Sequence, residues 1–145
     1  MPSKTVLLID DDQWFLEPLV DALVHEGYRV LTARTAEDAL VTLDREPVDL
    51  VTIDIMLDPG ETLHKTVDTH SAGMYLCREI TKRYPQMDAF CISVVSDVNM
   101  IRDIRRLGIR FLKKGETPLR TVLNMIRSRL TGSAYSSDRK KRHGD

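Results

Sequence analysis

The chain has 145 residues, of which 42% are hydrophobic and 30% charged, and its formal net charge is −1. This length fits one ordinary domain, and the composition excludes disordered and collagen-like chains. No apolar run approaches the roughly 18 residues of a membrane span, and the first residues lead straight into a strand-like run, so we expect neither membrane insertion nor a signal peptide.

The first two strands are predicted on either side of a helix. Residues 5–9 form a continuous apolar run that suits a strand buried on both faces, and residues 28–32 form the second strand. Between them, apolar residues recur at helical spacing up to Gly27, which is typical of a helix C-terminus. Pro18 lies within this pattern, so we expect a later helix start or a kink.

The next elements are a capped helix, a third strand and an irregular segment. Thr35, with Asp38 three residues later, resembles a capping arrangement, and residues 50–53 predict a strand. Residues 58–70 contain proline and glycine and show no sustained period, although such connections usually take about 2–6 residues. We therefore predict a long, mobile loop there.

The second half continues the alternation of helix and strand. Ser71 is the expected cap of a third helix, and Thr117 and Pro118 are the expected cap and first residue of the last one. Five strands, each followed by a helix, predict a mainly parallel α/β sheet with helices on both faces. The elements between these two helix starts are a strand at 89–92, a helix at 98–107 and a strand at 110–112.

Polar side chains follow four of the five predicted strands. In an open parallel sheet, ligands bind at the carboxyl ends of the strands. Carboxylates converging there raise one another's pKa unless a cation offsets them, and hard oxygen ligands of this kind suit Mg²⁺ together with phosphate oxygens. The sequence therefore predicts an Mg²⁺-dependent phosphoryl pocket built from Asp10, Asp11, Asp12, Asp54, Ser93, Lys113 and Lys114.

Two segments carry a resemblance to a known family. Residues 6–12, Val-Leu-Leu-Ile-Asp-Asp-Asp, and residues 49–57, which contain Asp54, resemble the receiver domain of bacterial two-component response regulators. The junctions at residues 27–30 and 73–80 resemble it too, so the likeness covers roughly residues 4–130. It implies a flavodoxin-like, doubly wound sheet with strand order 2-1-3-4-5.

The resemblance also implies roles for the acidic residues. Asp54 corresponds to the phosphoacceptor, which takes its phosphoryl group from a sensor histidine kinase or a histidine phosphotransfer protein. Asp10, Asp11 and Asp54 would hold Mg²⁺ together with the backbone carbonyl of Met56. Asp12 is interpreted as an outer carboxylate that opens the first helix.

Further roles fall on the fourth and fifth strands. Ser93 would bond a phosphoryl oxygen, with Ser96 as a second choice, and Phe111 occupies the aromatic switch position. The pocket lysine is Lys113 or Lys114, and counting from Phe111 favours Lys114.

The resemblance predicts a phosphorylation-dependent signalling switch in the cytoplasm, a location that two cysteines without a disulfide framework also favour. Such a chain promotes its own phosphorylation and dephosphorylation but turns over no external substrate. We expect a downstream protein partner on the face formed by helix 4, strand 5 and helix 5, and no nucleic-acid binding by this chain alone. The receiver domain is expected to span residues 1–131, and residues 132–145 a basic, disordered tail without an output domain.

Several alternatives stay open. Gly115 stands where the family usually has proline, and with the long loop it leaves room for a phosphorylation-independent, degenerate receiver that acts as an interaction module. The chain could equally be the N-terminal fragment of a longer response regulator. An aspartyl-phosphate phosphatase is disfavoured because Met56 stands where that class has a second aspartate. His64 and His70 could form a metal site, but a polar loop explains them more simply.

Overall fold

The computed structural model describes residues 3–132, in which five strands alternate with five α-helices. The strands are β1 Thr5–Ile9, β2 Arg29–Ala33, β3 Leu50–Ile53, β4 Asp88–Ser93 and β5 Arg110–Lys113. The helices are α1 Gln13–His25, α2 Ala36–Arg45, α3 Thr69–Arg83, α4 Val98–Arg106 and α5 Leu119–Thr131. Strands β1 and β3 have the predicted bounds, and the ends of β2, β4, β5 and α4 differ from prediction by one residue, within the usual uncertainty of element ends.

All neighbouring strands are parallel, and their order is β2-β1-β3-β4-β5. This confirms the predicted flavodoxin-like, doubly wound sheet. The register pairs Ile9 of β1 with Ile53 of β3. Asp10 and Asp54 therefore follow two neighbouring strands at the same level, at the carboxyl edge where ligands bind in sheets of this kind.

Alternation along the strands builds one apolar layer on each face of the sheet. In β1, Leu7 and Ile9 pack in the layer that includes α2, α3 and α4, whereas Val6 and Leu8 pack in the layer with α1 and α5. Full burial of such a side chain contributes about 1.5–3 kcal/mol. The unbroken apolar runs of the sequence follow from this two-sided burial.

Side-chain caps at α1 and α2 confirm two sequence predictions. The Asp12 carboxylate accepts hydrogen bonds from the backbone N–H groups of Trp14 and Phe15. The Thr35 hydroxyl accepts one from Asp38 N–H at 3.0 Å. Each cap satisfies N–H groups that have no partner inside the helix.

Two predictions about helix starts were wrong. Helix α3 is capped by Asp68, whose carboxylate accepts the Ser71 N–H, because the helix begins earlier than the apolar pattern indicated. Pro118 itself holds the cap position of α5 in an extended conformation, and Thr117 stays outside. Helix α1 begins directly after Asp12 with Pro18 inside it, so the later start is excluded and the kink stays a prediction. Pro18 is exposed, so water can hydrate the carbonyl that it leaves unbonded.

The segment before α3 is tied to α2 by hydrogen bonds. Asp58 forms a parallel bridge with Thr35. The Glu37 carboxylate accepts the backbone N–H groups of Thr62 and Leu63, both at 3.2 Å. Nothing in the sequence of residues 58–70 indicates this anchor.

The same segment also contributes to the core. It contains one 3₁₀ turn, Leu63–Lys65, and the side chains of Leu63 and Val67 pack against the apolar layer beneath α2 and α3. These contacts give the segment a defined path, while its predicted mobility stays a prediction.

The described part of the chain ends just after α5, at Gly132. The predicted basic tail lies outside the described residues from position 133 onward. Within residues 3–132, every helix is too short or too polar to cross a membrane.

Candidate functional site

Two aspartates are fixed at the carboxyl edge by the sheet itself. Asp10 N–H donates to the Ala33 carbonyl, and Asp54 N–H donates to the Ile9 carbonyl, so the backbone ladder continues one residue beyond each strand. Asp10 is 2% exposed and Asp54 is 5% exposed. Burying carboxylates is unfavourable unless they are paired, hydrogen-bonded or bound to a cation, so this placement indicates a functional site.

A third carboxylate completes a candidate metal centre. One oxygen each from Asp10, Asp11 and Asp54 lies within 4.8 Å of the others, and Asp11 is exposed to solvent. These hard oxygen donors fit Mg²⁺, which takes one or two carboxylates and keeps several waters. Met56 directly adjoins this cluster, since its N–H donates to Asp54 Oδ1 at 3.2 Å.

Lys114 is the lysine that enters the pocket. Its Nζ lies 2.7 Å from Asp10 Oδ2, 3.3 Å from Asp54 Oδ2 and 3.7 Å from Asp12 Oδ2. The Lys114 side chain is only 10% exposed. Lys113 instead donates a hydrogen bond to the Ser96 hydroxyl, outside the acidic cluster. Of the two lysines left open by the sequence, the structure brings Lys114 together with the aspartates.

The backbone carries Lys114 into the pocket despite the glycine that follows. Lys114 N–H donates to the Ser93 carbonyl at 2.9 Å, which extends the β4–β5 ladder to this residue. Gly115 then turns the chain with a φ of 88°, a left-handed conformation that proline cannot adopt. The glycine therefore changes the loop beyond the lysine without removing the lysine from the site.

The pKa values of Asp10 and Lys114 are both raised, and in each group burial and the contacts with charged neighbours act in opposite directions. Burial raises the pKa of the Asp10 carboxyl to about 6, because hydrogen bonds from Lys114 and from Asp12 N–H only partly offset the loss of hydration. Burial alone would lower the Lys114 pKa, but its hydrogen bonds and charge interactions with Asp10 and Asp54 outweigh that effect and raise it. Lys114 is therefore a cation at neutral pH.

Ser93 lies at the end of β4 and is completely buried. Its hydroxyl accepts the Val95 N–H at 3.4 Å. Ser96, the second choice from the sequence, is exposed and bonded to Lys113. The structure thus places Ser93, and not Ser96, at a buried strand end beside the other site residues.

One neighbour of the pocket was missed by sequence reasoning. The Phe15 ring lies beneath Lys114, with Nζ 4.8 Å from its centroid, and supplies a cation–π contact. Phe15 belongs to the first turn of α1, directly after the acidic triplet. In the sequence, only its position three residues after Asp12 could have indicated that Phe15 adjoins the pocket. An aromatic residue in an apolar helical pattern is more simply explained as part of the core.

The hypothesis of a histidine metal site stays a prediction, because the side chain of His70 lies outside what the structure describes. Among the described side chains, the three aspartates form the only group of three or more His, Cys, Asp or Glu close enough to hold a metal. His64 instead lines a surface cavity of about 570 Å³ beside Thr35 and Asp58.

The chain is an α/β protein with a five-stranded, doubly wound sheet. At the carboxyl edge of the sheet lies an acidic pocket, in which Lys114 bridges the aspartates and which suits a divalent cation. Residues 6–126 match the family described as the response regulator receiver domain. The chain belongs to this family. Receiver domains bind Mg²⁺ at an acidic pocket and interact with histidine kinases and downstream effectors; they are signalling domains that turn over no external substrate.

Similar proteins agree with this assignment. The transcriptional regulatory protein GlrR of Escherichia coli is 36% identical over 88 residues, which are 61% of this chain and 17% of that protein. The transcriptional regulatory protein AfsQ1 of Streptomyces coelicolor is 35% identical over 97 residues, 67% of this chain and 37% of that protein. The chain therefore spans only a minor part of these curated relatives.

A solved structure shows the same fold. The CheY-like response regulator receiver domain protein from Methanospirillum hungatei superimposes with a TM-score of 0.75 at 23% identity. The match covers 90% of this chain and 96% of that one.

Proposed function

We propose that the chain is a phosphorylation-dependent switch of a two-component system, with Asp54 as the phosphoacceptor. The observation that carries this proposal is the environment of Asp54. It is a buried carboxylate with Lys114 Nζ 3.3 Å from one oxygen and the Met56 N–H 3.2 Å from the other, beside two further aspartates. The donor we propose is a phosphohistidine on a sensor histidine kinase or a histidine phosphotransfer protein.

The proposed transfer is a single displacement at phosphorus. A carboxylate oxygen of Asp54 attacks the phosphoryl group, the O–P bond forms, and the P–N bond to the donor histidine breaks. The electron pair of that bond stays on the ring nitrogen, which yields neutral imidazole after proton uptake. Lys114 and Ser93 would bind the transferred oxygens, and electrostatic stabilisation of this kind dominates phosphoryl transfer.

The acidic residues have a second task in this proposal. Asp10, Asp11 and Asp54, with the Met56 carbonyl, would hold Mg²⁺. When bound, the ion supplies positive charge that offsets the three carboxylates as an anionic donor approaches. Within residues 3–132, Lys114 is the basic side chain that forms ion pairs with Asp10, Asp12 and Asp54.

The output step is a population shift. A phosphoryl group bonded to Ser93 and Lys114 would stabilise one arrangement of the ends of β4 and β5, with Phe111 as the reporting aromatic side chain. The size of the shift equals the differential affinity of that group for the two arrangements. We place the downstream partner on the face of α4, β5 and α5, and the two buried, unpaired thiols suit a cytoplasmic setting.

Intact-mass measurement tests the phosphoacceptor directly. The chain is incubated with acetyl phosphate and Mg²⁺, and we expect the mass of one phosphoryl group on the wild type and none on Asp54→Ala. Asp21→Ala is the matched control, since Asp21 is an exposed aspartate of α1 outside the pocket. Excess chelator is expected to abolish the modification.

Two outcomes would reject the proposal. Equal phosphorylation of Asp54→Ala and wild type would place the acceptor elsewhere. A wild type that binds Mg²⁺ but never gains mass would favour the phosphorylation-independent receiver.

A further inference from the structure

The ammonium group of Lys114 has more than one acidic partner within reach. Its Nζ lies 2.7 Å from Asp10 Oδ2, 3.3 Å from Asp54 Oδ2 and 3.7 Å from Asp12 Oδ2. The Asp12 side chain is 41% exposed at the edge of the pocket, whereas Asp10 and Asp54 are buried. A lysine carries a point charge on a flexible aliphatic stem, so charge attraction alone allows the ammonium to move outward towards Asp12.

The turn that follows Lys114 is closed by its own backbone. Gly115 adopts a φ of 88°, and the N–H groups of Glu116 and Thr117 donate to the Lys113 carbonyl at 3.2 and 3.1 Å. These bonds shape the turn but do not involve the Lys114 side chain. The position of its ammonium must therefore be fixed by contacts from other elements.

The ring of Phe15 supplies a contact of this kind. Lys114 Nζ lies 4.8 Å from the ring centroid, within the distance at which an aromatic face attracts a cation. The ring itself is well anchored, because the Phe15 N–H donates to the Asp12 carboxylate and the half-buried side chain packs against the apolar layer of α1 and α5. A fixed ring therefore faces a flexible lysine side chain.

We infer that Phe15 is a positioning residue of the phosphoryl transfer, whose ring face holds the Lys114 ammonium between Asp10 and Asp54. This inference rests on the proposed function, because it assigns a further residue to that same reaction. The ammonium then lies beside the Asp54 carboxylate before a phosphodonor arrives. Electrostatic stabilisation is most effective when the charged group is already in place.

An aromatic ring suits this task better than another carboxylate. It attracts the ammonium through its quadrupole and carries no net charge. A carboxylate at position 15 would also attract Lys114, but it would add a negative charge beside residues 10–12 and Asp54, where an anionic phosphodonor must approach. The contact with Phe15 therefore holds Lys114 and leaves its positive charge available to the phosphoryl oxygens.

Substitutions of Phe15 separate positioning from packing. Phe15→Leu keeps an apolar side chain in the layer but removes the π face, whereas Phe15→Tyr keeps the ring. Each variant is incubated with acetyl phosphate and Mg²⁺, and intact mass gives the rate of phosphorylation. We expect Phe15→Leu to slow the reaction about tenfold and Phe15→Tyr to retain nearly the wild-type rate. Mg²⁺ affinity, measured by calorimetry, should not fall in either variant, because the ring acts on Lys114 and not on the carboxylates.

Fluorinated phenylalanines change the charge distribution of the ring and largely keep its shape. Mono-, di- and trifluorophenylalanine incorporated at position 15 weaken the attraction of the ring face for a cation in that order, and we expect the phosphorylation rate to fall in the same order. Position 90 is the matched control, because the Phe90 ring lies in the same apolar layer and has the Arg129 guanidinium 5.1 Å from its centroid, outside the acidic pocket. Fluorination there should leave the rate unchanged. This series also decides the question if Phe15→Leu fails to fold.

Nuclear magnetic resonance detects the contact without any phosphodonor. Protons above an aromatic face are shifted upfield, so the ε-methylene protons of Lys114 should resonate upfield of those of the other lysines in a lysine-labelled chain. Lys114→Arg identifies the signal by removing it. We expect Phe15→Leu to abolish the upfield shift and Phe15→Tyr to keep it.

The outcomes separate this inference from the proposed function. If Asp54 is phosphorylated and Phe15→Leu reacts at the wild-type rate, the positioning role is overturned and the phosphoacceptor stands. If Phe15→Leu is slow but fluorination at position 15 has no effect, Phe15 acts through packing and the inference is overturned. If the wild type is never phosphorylated although the Lys114 protons are shifted upfield, the proposed function fails, and the ring contact has a structural role only.

Discussion

Lys114 places one positive charge against two buried carboxylates and above one aromatic ring. Removing one member of a buried charge pair typically destabilises a fold by about 3–5 kcal/mol, since the remaining charge loses its compensation. The geometry also explains why a lysine suits this site better than an arginine. A compact ammonium can face Asp10 and Asp54 together, whereas a planar guanidinium favours one bidentate partner.

Two apolar residues, Met56 and Val95, flank the reactive groups, and they lead to a prediction about the lifetime of the aspartyl phosphate. Met56 N–H contacts Asp54, and Val95 N–H contacts the Ser93 hydroxyl, so both side chains start beside the pocket. Neither side chain can orient or deprotonate water as a general base would. We expect Met56→Asn or Val95→Glu to speed hydrolysis of the aspartyl phosphate by at least about tenfold.

Trp14 provides the measurement of that lifetime. It is the chain's single tryptophan and is 91% exposed, and its backbone N–H donates a hydrogen bond to the Asp12 carboxylate. Its emission is followed after phosphodonor is washed out, with Val94→Glu as the control because Val94 is exposed and adjacent to Val95. If the Trp14 emission returns rapidly in wild type and neither substitution changes its rate, Met56 and Val95 do not protect the aspartyl phosphate from water.

At the scale of elements, helix α3 packs unusually closely on the loop that carries the phosphoacceptor. A Cβ added to Gly73 would lie 2.3 Å from the Ile55 Cα and from the Ile55 carbonyl oxygen. Ile55 follows Asp54 directly, so this contact sets how the helix and the site meet. Only glycine permits the approach.

The close contact between Gly73 and Ile55 predicts whether a substitution of Gly73 stabilises or destabilises the fold. In an open helix, Gly→Ala stabilises by about 1 kcal/mol, but we expect Gly73→Ala to destabilise the fold by about 1–3 kcal/mol because backbone must move. Urea denaturation measures the change, and Mg²⁺ titration followed by Trp14 emission is expected to show weaker binding. Ser71→Ala, an exposed position of the same helix, should stay near wild type. A stabilised Gly73→Ala variant would contradict this prediction and show that α3 can move away from the Ile55 backbone.

The segment before α3 predicts a local effect on exchange. Because Glu37 accepts the N–H groups of Thr62 and Leu63, Glu37→Ala is expected to raise hydrogen exchange of both amides at least about tenfold. Asp38→Ala is the control, since both acids lie in the first turn of α2 and interact alike with its dipole. Fast exchange of these amides already in wild type would instead support the predicted mobile loop.

These elements show what the sequence could predict. Strands β1 and β3 were found residue for residue, because two-sided burial demands unbroken apolar runs, and the parallel order then brought Asp10 and Asp54 together. The anchor at Glu37 could not be predicted, because it joins residues 25 and 26 positions apart across an irregular segment. Adjacent lysines also stay ambiguous in sequence, since neighbouring strand residues point to opposite faces and only the packing decides which face holds the pocket.

At the scale of the molecule, the apolar layers and the acidic edge have opposing requirements. The sheet between the two layers keeps water away from the strand ends, which stabilises the core but disfavours charge on Asp10. The fold therefore holds a carboxyl group that resists ionisation at the place where metal binding requires it to ionise. The free energy of unfolding should reflect that conflict as a function of pH.

This conflict predicts the pH dependence of stability in chelator. The Asp10 pKa rises from 3.8 to about 6 on folding, so its contribution is fully present below pH 3.8 and is lost as the pH rises through about 6. A rise of about two pKa units corresponds to about 3 kcal/mol. Urea denaturation between pH 4 and 7 is expected to show this loss, and Asp10→Asn, which cannot ionise, should flatten that part of the profile. Adding Mg²⁺ should restore more stability at pH 7 than at pH 5, because the metal binds the ionised carboxylate. Identical profiles for wild type and Asp10→Asn would show that Asp10 does not control the stability of the fold in this range.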